Sequence, residues 1–194
     1  MRTRWLIDFD GCIVPTLSTL VERINSEYDT SFTLNNVQDI TEFWTTVPEP
    51  LVQWAWSQRC FDNPTFLDNV EAYPHAIDSI QALLNAQCPV VIVTDRPTRH
   101  LPWLRRWFAE RNLVLPVVSS ESRNENKIAF VSEYQITTVI EDSATHATQY
   151  LAEPIQKLFL FSTPWNRRFS LTPPAERLDS WTDLYSRVKE ENPA

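Results

Sequence analysis

The stretch Trp5-Leu6-Ile7-Asp8-Phe9-Asp10-Gly11-Cys12 decides the fold that the rest of the chain is expected to build. Its apolar start is typical of a buried strand. Side chains alternate along a strand, so Asp8 and Asp10 are expected on one side, at the carboxyl end where open α/β sheets bind ligands. Gly11, the only glycine in the sequence, favours a turn that other residues would find strained. Two carboxylates this close repel each other, which predicts a bound cation or a shared proton.

The composition limits the classes of protein to which this chain can belong. Its 194 residues can enclose one sizeable core, with room for a small insertion. The formal net charge of −8 argues against a nucleic-acid polymer as partner, but a small anion can still bind through a metal ion. No apolar run approaches the ~20 residues that span a bilayer, and no signal peptide precedes the first strand. These features predict a cytoplasmic protein without membrane contact.

The 3 cysteines and 3 histidines are scattered along the chain without metal-binding spacing. Dispersed cysteines indicate free thiols in a reducing compartment. Cys12 lies beside the two aspartates, but no histidine is near it in sequence, so we expect it to act as a small apolar residue rather than a nucleophile. The histidines, among them His146, are expected at the surface or in capping positions.

Strands and helices alternate through most of the chain, which predicts an α/β fold with a doubly wound, mainly parallel sheet covered on both faces. After the first strand, further strands are predicted at 89–94, 113–118, 136–140 and 155–161. Helical spacing of apolar residues predicts helices at 16–28, 76–86, 101–111, 124–133, 143–151 and 179–189.

The segment 29–71 interrupts this alternation. It is rich in aromatic residues, and prolines break it into short pieces. We therefore expect a small, helical, aromatic-rich insertion after the first strand, comprising residues 16–71, with the core formed by 1–15 and 72–194. Most of the aromatic residues are expected to pack against each other, and some to line a ligand pocket.

Polar residues follow three of the predicted strands. Asp8 and Asp10 follow the first, Thr94-Asp95 ends the strand at 89–94, and Glu141-Asp142 ends the strand at 136–140. Lys127 lies between the last two, near the start of a predicted helix. Any single pair could cap a following helix, but together they predict one site.

The donor atoms of this site indicate phosphoryl chemistry on Mg²⁺. Carboxylate oxygens without histidine or thiolate partners are the ligands that Mg²⁺ prefers. One aspartate can attack phosphorus, and the other can move protons to the leaving oxygen and from water. A threonine hydroxyl and a lysine ammonium can hold the oxygens of the transferring phosphoryl group.

The order Asp8-Phe9-Asp10-Gly11, Thr94, Lys127, Glu141-Asp142 resembles the four motifs of the haloacid dehalogenase superfamily of phosphatases, over almost the whole chain. The resemblance implies that residues 16–71 form a helical cap on a Rossmann-like core. It implies that Asp8 is the nucleophile, which forms an aspartyl-phosphate, and that Asp10 is the acid/base. The remaining implied contacts are to phosphate by Thr94, Asp95 and Lys127, and to Mg²⁺ by Asp8, the Asp10 carbonyl and Asp142 or Glu141, with Asp142 favoured.

A narrower similarity involves Pro164-Trp165-Asn166-Arg167, the tail at 171–181 and the segment 63–67. These resemble the 5′(3′)-deoxyribonucleotidase family, which implies hydrolysis of a small phosphorylated substrate, a nucleoside monophosphate. The resemblance implies that aromatic residues of the insertion hold the base, and the candidate substrate contacts are Phe43, Trp44, Phe66 and Arg96. The chain could also form a homodimer.

Two departures from this family keep alternatives open. The second motif reads Thr94-Asp95-Arg96-Pro97, where the family more often has Thr-Ser, and a related pattern occurs in phosphatases of polynucleotide ends. Glu141 replaces a more usual aspartate in the fourth motif, which can alter metal geometry. The alternatives are a phosphatase for sugar phosphates or polynucleotide ends, and a catalytically silent nucleotide-binding module.

Overall fold

A computed structural model of the chain describes residues 3–35, 37, 40–55, 68 and 70–191. Within these residues, six strands form one sheet in which every neighbouring pair is parallel. The strands are β1 (Trp5–Asp8), β2 (Val90–Thr94), β3 (Val117–Ser119), β4 (Thr138–Glu141), β5 (Lys157–Phe161) and β6 (Ala175–Leu178). Their spatial order is β3-β2-β1-β4-β5-β6, so β1 lies in the middle of the sheet.

Helices connect and cover the strands. Three of them follow β1, which confirms the predicted helical insertion at this point; its limits at 16 and 71 stay a prediction. The helices are α1 (Thr16–Tyr28), α2 (Ile40–Thr46), α3 (Glu49–Trp54), α4 (Ala76–Asn85), α5 (Leu101–Ala109), α6 (Ala129–Glu133), α7 (Ala144–Tyr150) and α8 (Trp181–Glu191).

The two faces of the sheet carry separate hydrophobic clusters, as alternation along β1 requires. Trp5 and Ile7 belong to the cluster that also contains buried residues of α1, α4, α5 and α8. Leu6 belongs to the second cluster, with buried residues of α6 and α7. Because both faces are covered, the central strands are continuous apolar runs, and the predicted doubly wound α/β fold is confirmed.

The largest differences from the sequence-based expectations concern three elements. β6 was not predicted, because polar and apolar residues alternate only weakly along it. Its Glu176 is polar and accepts hydrogen bonds from the side chains of Lys157 and Arg187. β3 begins at 117 rather than 113. α6 begins at 129 rather than 124, since Asn124 and Glu125 take left-handed backbone angles, with φ of 54° and 61°.

The insertion has a small core of its own. Val21 of α1 packs with Leu34, Phe43 and Val47, all of them buried. α1 contributes to this cluster and follows the turn that ends β1. Among the described residues, none of the helices combines the length and the apolar character needed to cross a membrane.

Candidate active site

The carboxyl ends of β1, β2 and β4 meet at one edge of the sheet, because these strands are parallel neighbours. A cavity of about 470 Å³ opens at this edge. Asp8, at the end of β1, and Asp10, in the turn that follows, both line this cavity, as the alternation of side chains along a strand predicted. Most of the site residues predicted from the sequence line it, namely Asp8, Asp10, Trp44, Asp95, Arg96, Lys127, Glu141 and Asp142.

Lys127 is a buried cation that lies among three carboxylates. Its Nζ is 2.7 Å from Asp8 Oδ1, 3.2 Å from Asp95 Oδ2 and 3.5 Å from Glu141 Oε2. Burial by itself would lower the pKa of Lys127, but the three carboxylates raise it well above its usual value. The side chain is therefore charged at neutral pH, and its ammonium can hold the anionic oxygens of a phosphoryl group next to Asp8.

Asp8 and Glu141 respond differently to this environment. Burial raises the pKa of Asp8 well above its usual value; Lys127 opposes the rise and the neighbouring carboxylates add to it. Burial also opposes the ionisation of Glu141, but Lys127, His146 and the backbone N–H of Ser143 lower its pKa to about 2. Glu141 is thus a fixed anion, whereas full ionisation of Asp8 calls for additional positive charge.

Asp142 is placed against the turn that contains Gly11. Gly11 has a φ of 80°, and a Cβ atom there would lie 2.2 Å from Asp142 Oδ2, so this position requires glycine. Burial raises the pKa of Asp142, and Glu141 raises it further.

Ligand atoms of Asp8, Cys12 and Asp142 lie within 4.8 Å of one another. Burial also raises the pKa of the Cys12 thiol, which leaves the carboxylate oxygens as the atoms that could hold a hard cation.

Asp10 has a cationic partner of its own. Its Oδ2 accepts a hydrogen bond from Arg96 Nε at 2.9 Å, and its Oδ1 accepts from Arg96 Nη2 at 2.7 Å and from Thr16 Oγ1 at 2.5 Å. Arg96 is only 1% exposed and is held in this pair, but it also lines the cavity, and its role as a substrate contact stays a prediction. Thr94 is fully buried, with its hydroxyl 3.4 Å from Asp10 Oδ2.

Asp95 and His146 form the side of the cavity near Lys127. Asp95 Oδ1 accepts a hydrogen bond of 2.6 Å from Ser120 Oγ. His146 Nδ1 lies 3.7 Å from Glu141 Oε2 and 4.0 Å from Asp95 Oδ2. The expectation of a surface or capping role for His146 did not foresee this position. The signal in the sequence is its place four residues after Asp142, within the first turn of α7.

The insertion supplies an apolar wall. Leu17, Leu20 and Trp44 line the cavity, together with Trp165 from the loop after β5. Phe43, predicted as a base contact, is 2% exposed and packs inside the insertion, so the described cavity lining does not include it. Phe66, the other aromatic candidate, lies outside the described residues.

Comparisons with known proteins agree with this geometry. A sequence model of the family described as 5′ nucleotidase, deoxy (Pyrimidine), cytosolic type C protein matches residues 2–190. A search of curated protein sequences found no match.

Solved structures share the fold. A HAD family hydrolase from Deinococcus radiodurans R1 with bound phosphate and sodium has a TM-score of 0.62 at 20% identity, with 100% of this chain and 99% of that one covered. CbbY from Rhodobacter sphaeroides in complex with phosphate has a TM-score of 0.59 at 15% identity, with 95% and 96% covered. A HAD-superfamily hydrolase from Ehrlichia chaffeensis has a TM-score of 0.57 at 13% identity, with 97% of each chain covered.

The family match spans nearly the whole chain and agrees with the resemblance found in the sequence. The structural matches independently place the chain in the haloacid dehalogenase fold. The prediction of a phosphatase of the nucleotidase type is therefore confirmed, and the chain belongs to the 5′(3′)-deoxyribonucleotidase family of haloacid dehalogenase phosphatases.

Proposed function

We propose that this protein is a Mg²⁺-dependent hydrolase of nucleoside monophosphates that works through an aspartyl-phosphate on Asp8. The observation that carries the proposal is the position of Asp8, at the end of the central strand and at the cavity, with the Lys127 ammonium 2.7 Å from its Oδ1. A buried carboxylate beside a fixed ammonium suits attack on a phosphoryl group whose oxygens the ammonium holds.

The residues at the cavity fit a magnesium ion. Asp8, Glu141 and Asp142 are buried carboxylates, and the positive charge of Lys127 does not balance all three. Oxygens of Asp8 and Asp142 would hold Mg²⁺, with the Asp10 carbonyl as a further ligand and Glu141 as the fixed anion behind them. When bound, Mg²⁺ would neutralise part of the charge that opposes the approach of a phosphate.

The side chains of the cavity divide the reaction between them. Asp8 forms a bond to phosphorus as the ester bond breaks, while Lys127 holds a phosphoryl oxygen. Asp10 gives a proton to the leaving nucleoside oxygen and then takes one from the attacking water, which releases inorganic phosphate from Asp8. Arg96 and Thr16 hold Asp10 in place for both proton transfers.

The rest of the cavity suits a nucleoside. The apolar wall of Leu17, Leu20, Trp44 and Trp165 can accept the base, since aromatic faces stack on bases of any sequence. In this proposal, residues 16–71 are the cap that closes over the substrate. The free thiols of Cys12 and Cys88 and the family description together support a cytoplasmic location.

Asp8→Asn tests the proposal, because it removes the nucleophile while keeping the shape of the side chain. We expect phosphate release from nucleoside monophosphates in Mg²⁺ to be lost, with no decrease in melting temperature, because Lys127 keeps Asp95 and Glu141 as partners and the variant removes a buried negative charge. Asp78→Asn is the matched control, because Asp78 is exposed and pairs with His75 in α4's first turn, away from the cavity. Undiminished turnover in Asp8→Asn would contradict the proposal.

A panel of phosphorylated substrates separates the alternatives. Preferred release of phosphate from nucleoside monophosphates supports the proposal. A preference for sugar phosphates or for 3′- or 5′-phosphorylated oligonucleotides would assign a different substrate to the same hydrolytic reaction. Nucleotide binding in Mg²⁺ without any phosphate release would indicate a silent binding module.

A further inference from the structure

The short helical turn Pro164–Asn166, which follows β5, is built around the amide of Asn166. This side chain is 1% exposed, and its Nδ2 donates hydrogen bonds of 2.7 Å to the backbone oxygens of Asp142 and Phe161. Its Oδ1 accepts from the backbone N–H of Thr163 at 3.2 Å. The turn is therefore tied to the backbone of Asp142, directly after β4.

Arg177 of β6 fixes the same turn from the outside. Its Nη1 donates to Asn166 Oδ1 at 3.0 Å, and its Nη2 donates to the backbone oxygens of Asn166, Arg167 and Phe169 at 2.8, 3.0 and 2.8 Å. Arg177 is itself held in register with Leu160 by the pairing of β5 and β6. The predicted similarity at 164–167 and in the tail thus corresponds to one connected set of hydrogen bonds.

Trp165, in the middle of this turn, has two contacts of different kinds. Its Nε1 donates a hydrogen bond of 3.0 Å to Asp142 Oδ2. Its ring packs against the insertion cluster that contains Val21 and Phe43, and it lines the cavity together with Trp44. One side chain therefore contacts both a candidate metal carboxylate and the wall that would hold the base.

We propose that the turn Pro164–Asn166 is a positioning clamp for Asp142, in which Asn166 fixes the backbone, Trp165 orients the carboxylate, and the Trp165 ring joins that carboxylate to the insertion. The inference rests on the metal-dependent hydrolysis proposed above and adds positioning residues that lie outside the four motifs. A carboxylate that can adopt several rotamers binds a metal ion less tightly than a carboxylate that an N–H donor holds in one orientation. The clamp thus sets metal affinity through Asp142 and substrate affinity through the ring.

Trp165→Phe removes the N–H donor and keeps an aromatic ring against the insertion. Calorimetric titration with Mg²⁺ in the absence of nucleotide should show a dissociation constant about 10-fold higher than in the wild type, as for other hydrogen-bond partners of metal ligands. In steady-state assays, the Mg²⁺ concentration for half-maximal rate should rise by the same factor. The KM for the nucleotide at saturating Mg²⁺ should change by less than about twofold.

Trp44→Phe is the matched control, since Trp44 lines the same cavity and belongs to the insertion. Because it also keeps an aromatic ring, it should change the KM for the nucleotide by less than about twofold, and it should leave Mg²⁺ binding in the absence of nucleotide unchanged. Trp165→Ala removes both contacts and should change both quantities. Melting temperatures show whether each of the three variants is folded. If Trp165→Ala is not folded, Trp165→Phe alone tests the proposal.

The outcomes separate this inference from the function on which it rests. Wild-type Mg²⁺ affinity in Trp165→Phe would overturn the clamp and leave the hydrolase intact. An equal loss of Mg²⁺ affinity in Trp44→Phe would also overturn it, because the effect would then belong to the cavity wall in general. A wild-type protein that neither binds Mg²⁺ nor releases phosphate would overturn the metal site itself, and the clamp with it.

Discussion

Lys127→Met is the substitution for which the structure gives the clearest expected magnitude. Lys127 is 4% exposed and lies within 3.5 Å of carboxylate oxygens of Asp8, Asp95 and Glu141. Methionine has a similar length and no charge, so the variant keeps the packing and leaves buried anions without their ammonium. Removing one partner of a buried ion pair destabilises a protein by about 3–5 kcal/mol.

This free energy converts into a shift that thermal unfolding can measure. For a chain of this size, 1 kcal/mol corresponds to about 2–4 °C in melting temperature, so the variant should melt about 6–20 °C below the wild type at pH 7 without Mg²⁺. Lys157→Met is the control. Lys157 and Glu176 form a salt bridge whose side chains are 38% and 34% exposed, and loss of such a pair costs about 0–1 kcal/mol.

The difference between Lys127→Met and the wild type should also depend on pH. In the wild type, Lys127 helps to lower the pKa of Glu141 from 4.5 to about 2, so the stability this carboxylate contributes is present above pH 4.5 and is lost as the pH falls through about 2. Without Lys127, the pKa of Glu141 rises and the variant takes up protons at a higher pH. The gap in melting temperature should therefore narrow between pH 7 and pH 4. A gap no larger than that of Lys157→Met, or one that stays constant over this range, would refute the reasoning.

Three further outcomes are expected. Gly11→Ala should lower the melting temperature, because the positive φ alone costs about 1–2 kcal/mol in a residue with a Cβ atom. It should also weaken Mg²⁺ binding, because the added Cβ atom meets the Asp142 side chain, and an unchanged Mg²⁺ affinity would contradict this contact. Arg96→Lys keeps the charge but loses the two-pronged contact to Asp10, so kcat should fall at least about 10-fold with little change in KM, and an unchanged kcat would remove Arg96 from the mechanism. Mg²⁺ at 100 times its dissociation constant should add about 2.7 kcal/mol, raising the melting temperature by about 5–11 °C in the wild type and not in Asp142→Asn; an equal rise in both would place the ion elsewhere.

The fold could be predicted from the sequence where burial decided the choice of residues. The strands around β1 are continuous apolar runs, because both faces of a parallel sheet are covered, and the stripe of Leu20, Val21 and Ile24 marks α1. β6 could not be predicted this way. It is an outer strand whose Glu176 and Arg177 form polar contacts with other elements, so neither an apolar run nor clear alternation was required.

The candidate site could also be predicted only in part from the sequence. Residues at strand ends could be placed together, since parallel neighbours bring their carboxyl ends to one edge. The contacts of Arg96 and Trp165 could not be predicted, because both residues lie in the connections that follow strands, where the direction of a side chain depends on tertiary contacts that no local pattern contains. Phe43 shows the converse problem, because an aromatic residue in an insertion can serve its core as well as a ligand.

The structure also changes the physical interpretation of the two aspartates after β1. Their closeness in sequence predicted a bound cation or a shared proton. In the structure, Asp8 faces the Lys127 ammonium and Asp10 faces the Arg96 guanidinium, so each carboxylate has a cationic partner of its own. Separate partners suit separate tasks, because a nucleophile needs a neighbour that can also hold the phosphoryl oxygens, whereas an acid/base needs a neighbour that fixes its position. A compact ammonium serves the first need and a planar, two-pronged guanidinium the second, which is why exchanging these two cations is expected to impair both steps.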